Sequence, residues 1–199
     1  MLRVRLARPG DEAEVAGVHV RSWQVGYRGL LPERYLQGLR AEDRRNRYVF
    51  ASRGPEVVTT PGPVTTVAVE DGVICGFVTT GPSPDARVSA DVADVPDVPD
   101  VAEVPDVPDV PHVRGRGEVL ALYVDPDAWG RGVGRRLMAE ARRTLGDGGF
   151  AEAVLWVLVG NDRAQRFYRA DGWRPDDRRR NVEVWGIAVE EIRYRRRLP

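Results

Sequence analysis

Lysine is missing altogether: the chain's 30 basic residues are all arginine. A Walker-type phosphate loop requires Lys-Ser/Thr after its last glycine, so a nucleoside triphosphatase of that kind is excluded. Cysteine is nearly absent as well. The single Cys75 rules out an internal disulfide framework and fits a reducing cytoplasm. The two histidines, His19 and His112, lie far apart with no carboxylate cluster at ligand spacing, so no metal site is expected. No run approaches the ~20 apolar residues of a membrane span. The opening MLRVRLARPGDEAEVAG lacks the apolar stretch of a secretory leader. A cytoplasmic location with no membrane partner is the expectation.

What is present suits one domain. With 199 residues and 42% hydrophobic side chains, the chain is long and apolar enough to bury a core. The formal net charge is zero, but the charge is unevenly placed. Between Asp85 and Val110 stand Asp85, Asp91, Asp94, Asp97, Asp100, Glu103, Asp106 and Asp109, against Arg87 alone. The remainder therefore carries a basic surplus, which suits an anionic small molecule. That acidic stretch is a degenerate Val-Pro-Asp repeat. Its prolines remove backbone donors and its acids repel, so residues 82–117 read as a low-complexity, disordered insertion. It divides one domain into an N-terminal part, 1–81, and a C-terminal part, 118–199.

The patterning on either side is regular. LRVRLAR alternates as a strand. A helix opens after Asp11, an expected N-cap with Glu14 three residues on, and carries Val15, Val18 and Trp23 along one face. Pro32–Leu39 reads as a second helix, and a third extends toward Phe50. PVTTVAVED and VICGFVTT are strands joined by an Asp71-Gly72 turn. EVLALYV, a helix over 133–145, EAVLWVLV, the helix DRAQRFYRAD and strands near 179–185 and 187–196 complete the order. This is a mixed α/β sheet with helices on its faces.

Gly130, Gly132 and Gly134 lie where a strand hands over to a helix. Their G-x-G-x-G spacing departs from the dinucleotide fingerprint G-x-G-x-x-G, and no acid closes the next strand as that fingerprint requires. The remaining use is general: a turn without Cβ atoms lets the first amides of a helix face a pyrophosphate.

At this point the chain resembles the GCN5-related N-acetyltransferases. Their Gln/Arg-x-x-Gly-x-Gly/Ala signature reads Trp129-Gly130-Arg131-Gly132-Val133-Gly134, preceded by LYVDP. Trp129 stands where Gln or Arg is usual. A second stretch, NDRAQRFYRADGW from Asn161 to Trp173, is similar to the family's N-x-x-A-x-x-F-Y-x-x-x-G-F/W. VHVRSWQVGYRGLLPERYL resembles the acceptor-binding helices of many bacterial members. The resemblance implies the α/β (α+β) acyl-CoA N-acyltransferase fold, a mixed and mostly antiparallel seven-stranded sheet flanked by helices. It implies an acetyl-CoA-dependent N-acetyltransferase acting by direct attack in a ternary complex. The acceptor would be a small-molecule amine or a protein N-terminus. No nucleic-acid partner is implied, and a homodimer through late-strand pairing is compatible with the family.

The same resemblance distributes roles. The amides of 130–135, with Arg131, Arg135 and Arg136 unless those arginines are a solvated helix face, would hold the pyrophosphate, and Gly130, Gly132, Val133 and Gly134 would form its cradle. Leu122, Tyr123 and Val124 would line the slot for the pantetheine arm, with Asn161 capping the next helix or touching that arm. Tyr168 would donate to the departing thiolate, unless it is a core residue beside Phe167. Glu118 would be the base that takes the amine's proton, or else a solvated strand end. Trp23, Tyr27 and Tyr35 would line the acceptor pocket or belong to the core. Cys75, inside an apolar strand, reads as an inert thiol and His19 as a packed or surface side chain. A non-catalytic acyl-CoA-binding sensor would keep the glycine loop without using the tyrosine.

Overall fold

The structure is a computed structural model that describes residues 1–50, 62–84, 115–184 and 186–199. The elements run β1 (Arg3–Leu6), α1 (Glu12–Gly26), α2 (Glu33–Gly38), α3 (Ala41–Arg45), β2 (Val64–Glu70), β3 (Val73–Pro82), β4 (Gly117–Val124), α4 (Val133–Asp147), β5 (Glu152–Leu158), α5 (Asp162–Ala170), β6 (Arg174–Val184) and β7 (Ile187–Arg197). The seven strands form one sheet in the order β1-β2-β3-β4-β5-β7-β6. Every neighbouring pair is antiparallel except β4 with β5. The low-complexity call falls mainly on 85–114, outside the described residues.

The alternation of a strand explains the layering. A Cβ built at Gly76 would stand 3.0 Å from Leu137 and 3.2 Å from Val133, both on α4. The next residue, Phe77, packs with Val15 and Val18 of α1. Consecutive strand residues point to opposite faces, so α4 covers one face of the sheet and α1 the other. On the α4 face Leu137, Met138, Ala141 and Leu145 meet Val78, Ala153, Leu155, Trp173 and Tyr194. Their i, i+1, i+4, i+8 spacing is the apolar stripe of a surface helix.

The hairpin at Asp71-Gly72 forms as its residues dictate, with φ of 51° and 87°. The expected capping box on α1 does not. Asp11 occupies the N-cap position, but its carboxylate is taken by the Arg5 guanidinium at 2.6 Å and the Arg8 amide at 2.8 Å. Glu14 instead accepts from the backbone amide of Ile74 at 2.9 Å, tying the helix to β3. The third helix ends at Arg45 rather than near Phe50, and β6 starts five residues before the expected 179. That early start is secured by Arg193, whose buried guanidinium is bonded to Asp176 at 2.5 Å.

Candidate active site

The parallel strands β4 and β5 pair only over Gly117–Val119 and Ala153–Leu155. Register between β3 and β4 explains why. Thr79 faces Ala121 and Thr80 faces Val119, which leaves Leu120 as an extra residue in β4. Such a bulge bends its strand and increases its twist, so β4 turns away from β5. The wedge between the two strands is a cleft of about 480 Å³, lined by Glu118 through Val124 on one side and Trp156 through Leu158 on the other. Past Val119, β4 has no β5 partner, so its backbone groups on that edge, other than the Val124 carbonyl that accepts from Trp129 Nε1 at 2.7 Å, are left to water or a ligand.

The glycine loop closes the mouth of the wedge. Gly130 and Gly132 hold φ of 75° and 83°, which ordinary residues reach only at a cost. Gly132 is the N-cap of α4 and therefore supplies no side chain to its first amides. No acidic side chain stands in that first turn either. The loop thus presents unmet N–H donors at the positive end of a 15-residue helix, which favours an anion. Gly130, Gly132, Val133, Gly134 and Arg135 all line the cleft. Asn161 lines it too, and its Oδ1 caps α5 by accepting from the Ala164 amide at 3.1 Å. That leaves its NH2 group as the donor it can offer.

Deeper in the wedge stand the titratable groups. Tyr168 is 9% exposed and lines the cleft. Burial, then proximity to Tyr123, pushes its phenol well above the ordinary tyrosine value. Tyr27 lines the same space and is shifted upward in the same way, by burial and then by Tyr123 and Tyr168. Three phenols, Tyr27, Tyr123 and Tyr168, therefore converge, each kept neutral. Glu118, at the paired end of β4, is 5% exposed, and the hydroxyl of Ser83 donates to its Oε2 at 2.7 Å. Glu118 is thus a buried, oriented carboxylate lining the cleft and not a solvated strand end.

Residues 23–173 match the acetyltransferase (GNAT) family. The chain belongs to that family. As a GNAT protein it is an acyltransferase. An N-acetyltransferase of uncharacterised role, YuaI of Bacillus subtilis strain 168, is 25% identical over 193 residues, covering 96% of this chain and 91% of that protein. A GCN5-related N-acetyltransferase from Rhodopseudomonas palustris superposes with a TM-score of 0.65 at 21% identity, over 98% of this chain and 95% of that one. YncA of Salmonella typhimurium, a structure with acetyl-CoA, gives 0.61 at 15% identity, over 100% and 94%. The seven-stranded mixed sheet is the GNAT fold.

Several expected site residues of this GNAT chain lie elsewhere. The Arg131 side chain is turned toward the β2–β3 hairpin, where its guanidinium pairs with Glu70 at 2.5 Å. It lines a separate small pocket beside Cys75 and not the cleft. Trp23 is 6% exposed and packs on Tyr27 at 4.7 Å between ring centroids, so it supports the cleft wall without forming it. Tyr35 likewise packs into the cluster around Leu36. His19 is packed: its ring stacks on Tyr123 at 4.7 Å and its Nδ1 shares a hydrogen bond with the Tyr48 hydroxyl at 2.5 Å. Cys75 is buried, and burial raises its thiol pKa, as an inert thiol requires. Among the described residues no group of three His, Cys, Asp or Glu is placed to hold a metal, and no helix is long and apolar enough to cross a membrane.

The structure also adds residues that pattern reading did not find. Ser83 orients Glu118 from 35 positions away. Arg180 sits over the Trp156 ring at 4.1 Å and pairs with Glu191 at 2.8 Å, and all three line the cleft. Arg163 lies over the Trp129 ring. None of these pairs shares a sequence period; each is created by strand pairing or by the meeting of two loops.

Proposed function

We propose that this protein transfers an acetyl group from acetyl-CoA to a primary amine by direct attack within a ternary complex. The observation that carries the reading is the wedge between β4 and β5, with the unmet amides of 130–135 at its mouth and a neutral phenol, Tyr168, inside it. The amides, with Arg135, suit the pyrophosphate. The free edge of β4 over Leu122–Val124 suits the pantetheine arm and offers N–H donors toward the oxyanion that forms as the amine adds to the thioester carbon.

Proton accounting assigns the two side chains. An amine of pKa near 10 is protonated at neutral pH and must lose a proton before its lone pair can attack. Glu118, buried and held by Ser83, is the group in the cleft suited to receive it, directly or through water. As the C–S bond breaks, the electron pair goes to sulfur, and a hydrogen bond to that thiolate lowers the barrier. An ordinary phenol is a weaker acid than an ordinary thiol by about 1.5 pKa units, or about 2 kcal/mol. The upward shift of Tyr168 widens that gap. Tyr168 therefore serves as a hydrogen-bond donor to sulfur; the second proton that the nitrogen sheds as the amide forms goes to the thiolate, directly or through water, so net proton transfer from Tyr168 is not required.

The test is CoA release, followed with a thiol reagent, for wild type and Tyr168→Phe offered acetyl-CoA and pooled amines. Amine-dependent release with kcat reduced roughly tenfold or more in the variant is expected. Glu118→Gln should depress kcat/KM most where the amine is protonated, with less loss as pH rises toward 10. A protein that binds acetyl-CoA but releases no CoA on any amine would instead be an acyl-CoA-binding sensor.

A further inference from the structure

The GNAT signature begins with a Gln or Arg, and this chain has Trp129 there. The indole cannot present the hydrogen bonds of either residue, and its one donor is already spent. Trp129 Nε1 donates to the carbonyl of Val124 at 2.7 Å, which pins the ring beside the end of β4. Its face is covered. The guanidinium carbon of Arg163, in the first turn of α5, stands 3.1 Å from the centre of that ring.

The charges around the mouth of the cleft are not equivalent. Arg131 is neutralised by Glu70. Arg136 is spent on the carbonyl of Leu2, at 2.8 Å. Arg21 is paired with Asp125 at 2.6 Å. Arg163 lines the cleft, and among the described residues its contact is the Trp129 ring, with no hydrogen bond or ion pair to a carboxylate or carbonyl. Partial desolvation of this largely exposed side chain lowers its pKa, with no charged neighbour among the causes. Stacking uses the π-face of a guanidinium and leaves its in-plane N–H donors directed outward, in a fork that matches two phosphate oxygens.

We infer that Arg163, carried on the Trp129 ring, supplies the pyrophosphate contact that the first position of the glycine motif no longer makes. This rests on the acyl-CoA reading of the cleft. The Trp129–Arg163 stack is then one unit: the indole sets the position and the guanidinium sets the charge. Arg163 is a binding residue and takes no part in the bond-making steps. Pyrophosphate is favoured over the 3′-phosphate because Arg163 stacks on Trp129, which adjoins Gly130 of the glycine loop in the chain, and all three line the cleft.

The experiment measures the dissociation constants of CoA, 3′-dephospho-CoA and pantetheine by calorimetry, at two salt concentrations. It uses wild type, Arg163→Ala, Arg163→Lys, Trp129→Leu and the double variant Arg163→Ala/Trp129→Leu. Arg163 is solvent-exposed on α5, so thermal melts of its variants should overlay wild type and serve as the folding control. Arg163→Ala should weaken CoA and 3′-dephospho-CoA alike by roughly tenfold, about 1.4 kcal/mol, and leave pantetheine unchanged. The salt dependence of CoA binding should flatten in the same variant. Arg163→Lys should recover only part of the affinity, and Trp129→Leu should add little once Arg163 is gone. Wild type that fails to bind CoA would sink the acyl-CoA reading itself. Wild type that binds CoA while Arg163→Ala binds it equally well would sink this inference alone. A penalty confined to CoA and absent with 3′-dephospho-CoA would move the contact to the 3′-phosphate and overturn the assignment made here.

Discussion

At the level of single residues, the chemistry depends on which groups are denied water. Tyr168 and His19 are both buried beside Tyr123, and burial drives each toward its neutral form. For His19 that means a pKa lowered to about 3, with burial as the main cause and Arg44 and Arg47 adding to it. The sign of the consequence follows from proton binding. Below about pH 6.5 the unfolded chain takes up a proton at His19 that the folded chain refuses, so this contribution to stability is full above pH 6.5 and falls as pH drops toward 3. By pH 5 the loss is about 2 kcal/mol. Melting temperatures of wild type should decline between pH 7 and pH 5, while His19→Phe, which keeps a ring against Tyr123, should decline less. Equal slopes would mean that His19 is protonated in the folded protein. Tyr168 and Asn161 were readable in the sequence, because they stand at fixed offsets in a motif, and Glu118 came through the family resemblance, at the start of its strand. Their partners were not readable. Nothing in the chain order announces that Ser83 will meet Glu118 or that Arg163 will meet Trp129, since both contacts depend on which strands and loops become neighbours.

Elements were legible wherever a local signal had no competitor. The Asp71-Gly72 hairpin needs only its own two backbone conformations, and it forms where expected. The cap of α1 failed because Arg5 outbid the helix for Asp11, a contact across six residues that a capping template does not include. The start of β6 was missed because charged residues such as Asp176 and Arg178 read as a loop until a buried Arg193 on β7 claims one of them. The position of the bulge at Leu120 was not readable, since an extra residue in a strand shows itself through its partner strand. Packing between elements makes a paired prediction at two glycines. A Cβ at Gly117 would come within 2.8 Å of Leu145 and 3.2 Å of Phe150, so Gly117→Val should overpack the junction of β4 and α4 and cost about 1–3 kcal/mol. At Gly146, inside α4, a Cβ meets nothing within 4 Å, so Gly146→Ala should stabilise by up to about 1 kcal/mol. Thermal melts of the two variants should move in opposite directions.

For the molecule as a whole, a mixed sheet with helices on its faces was legible from the alternation of strands and helices, the seven mostly antiparallel strands came through the family resemblance, and the strand order came from the structure. In chain order the Val-Pro-Asp stretch lies between β3 and β4. Its two flanks are already joined, because the Ser83 amide bonds the Arg116 carbonyl at 2.8 Å and Pro82 faces Gly117 across the β3–β4 ladder. A turn of a few residues can close such a hairpin. Replacing residues 85–114 with a short Gly-Asn turn should therefore leave CoA affinity and acyl transfer within about twofold and the melting temperature within a few degrees. Loss of transfer with CoA binding intact would show that the acidic stretch serves the acceptor.

The all-arginine composition gives the stack of Arg163 on Trp129 a further meaning. A protein that holds a reactive thioester exposes its own surface amines to it, and an acetylated lysine loses its charge. Guanidinium groups stay protonated at any working pH and are poor nucleophiles toward a thioester. Arg135 and Arg163 would thus keep their charge however long the donor resides beside them, and these 199 residues hold no side-chain amine for the donor to erase.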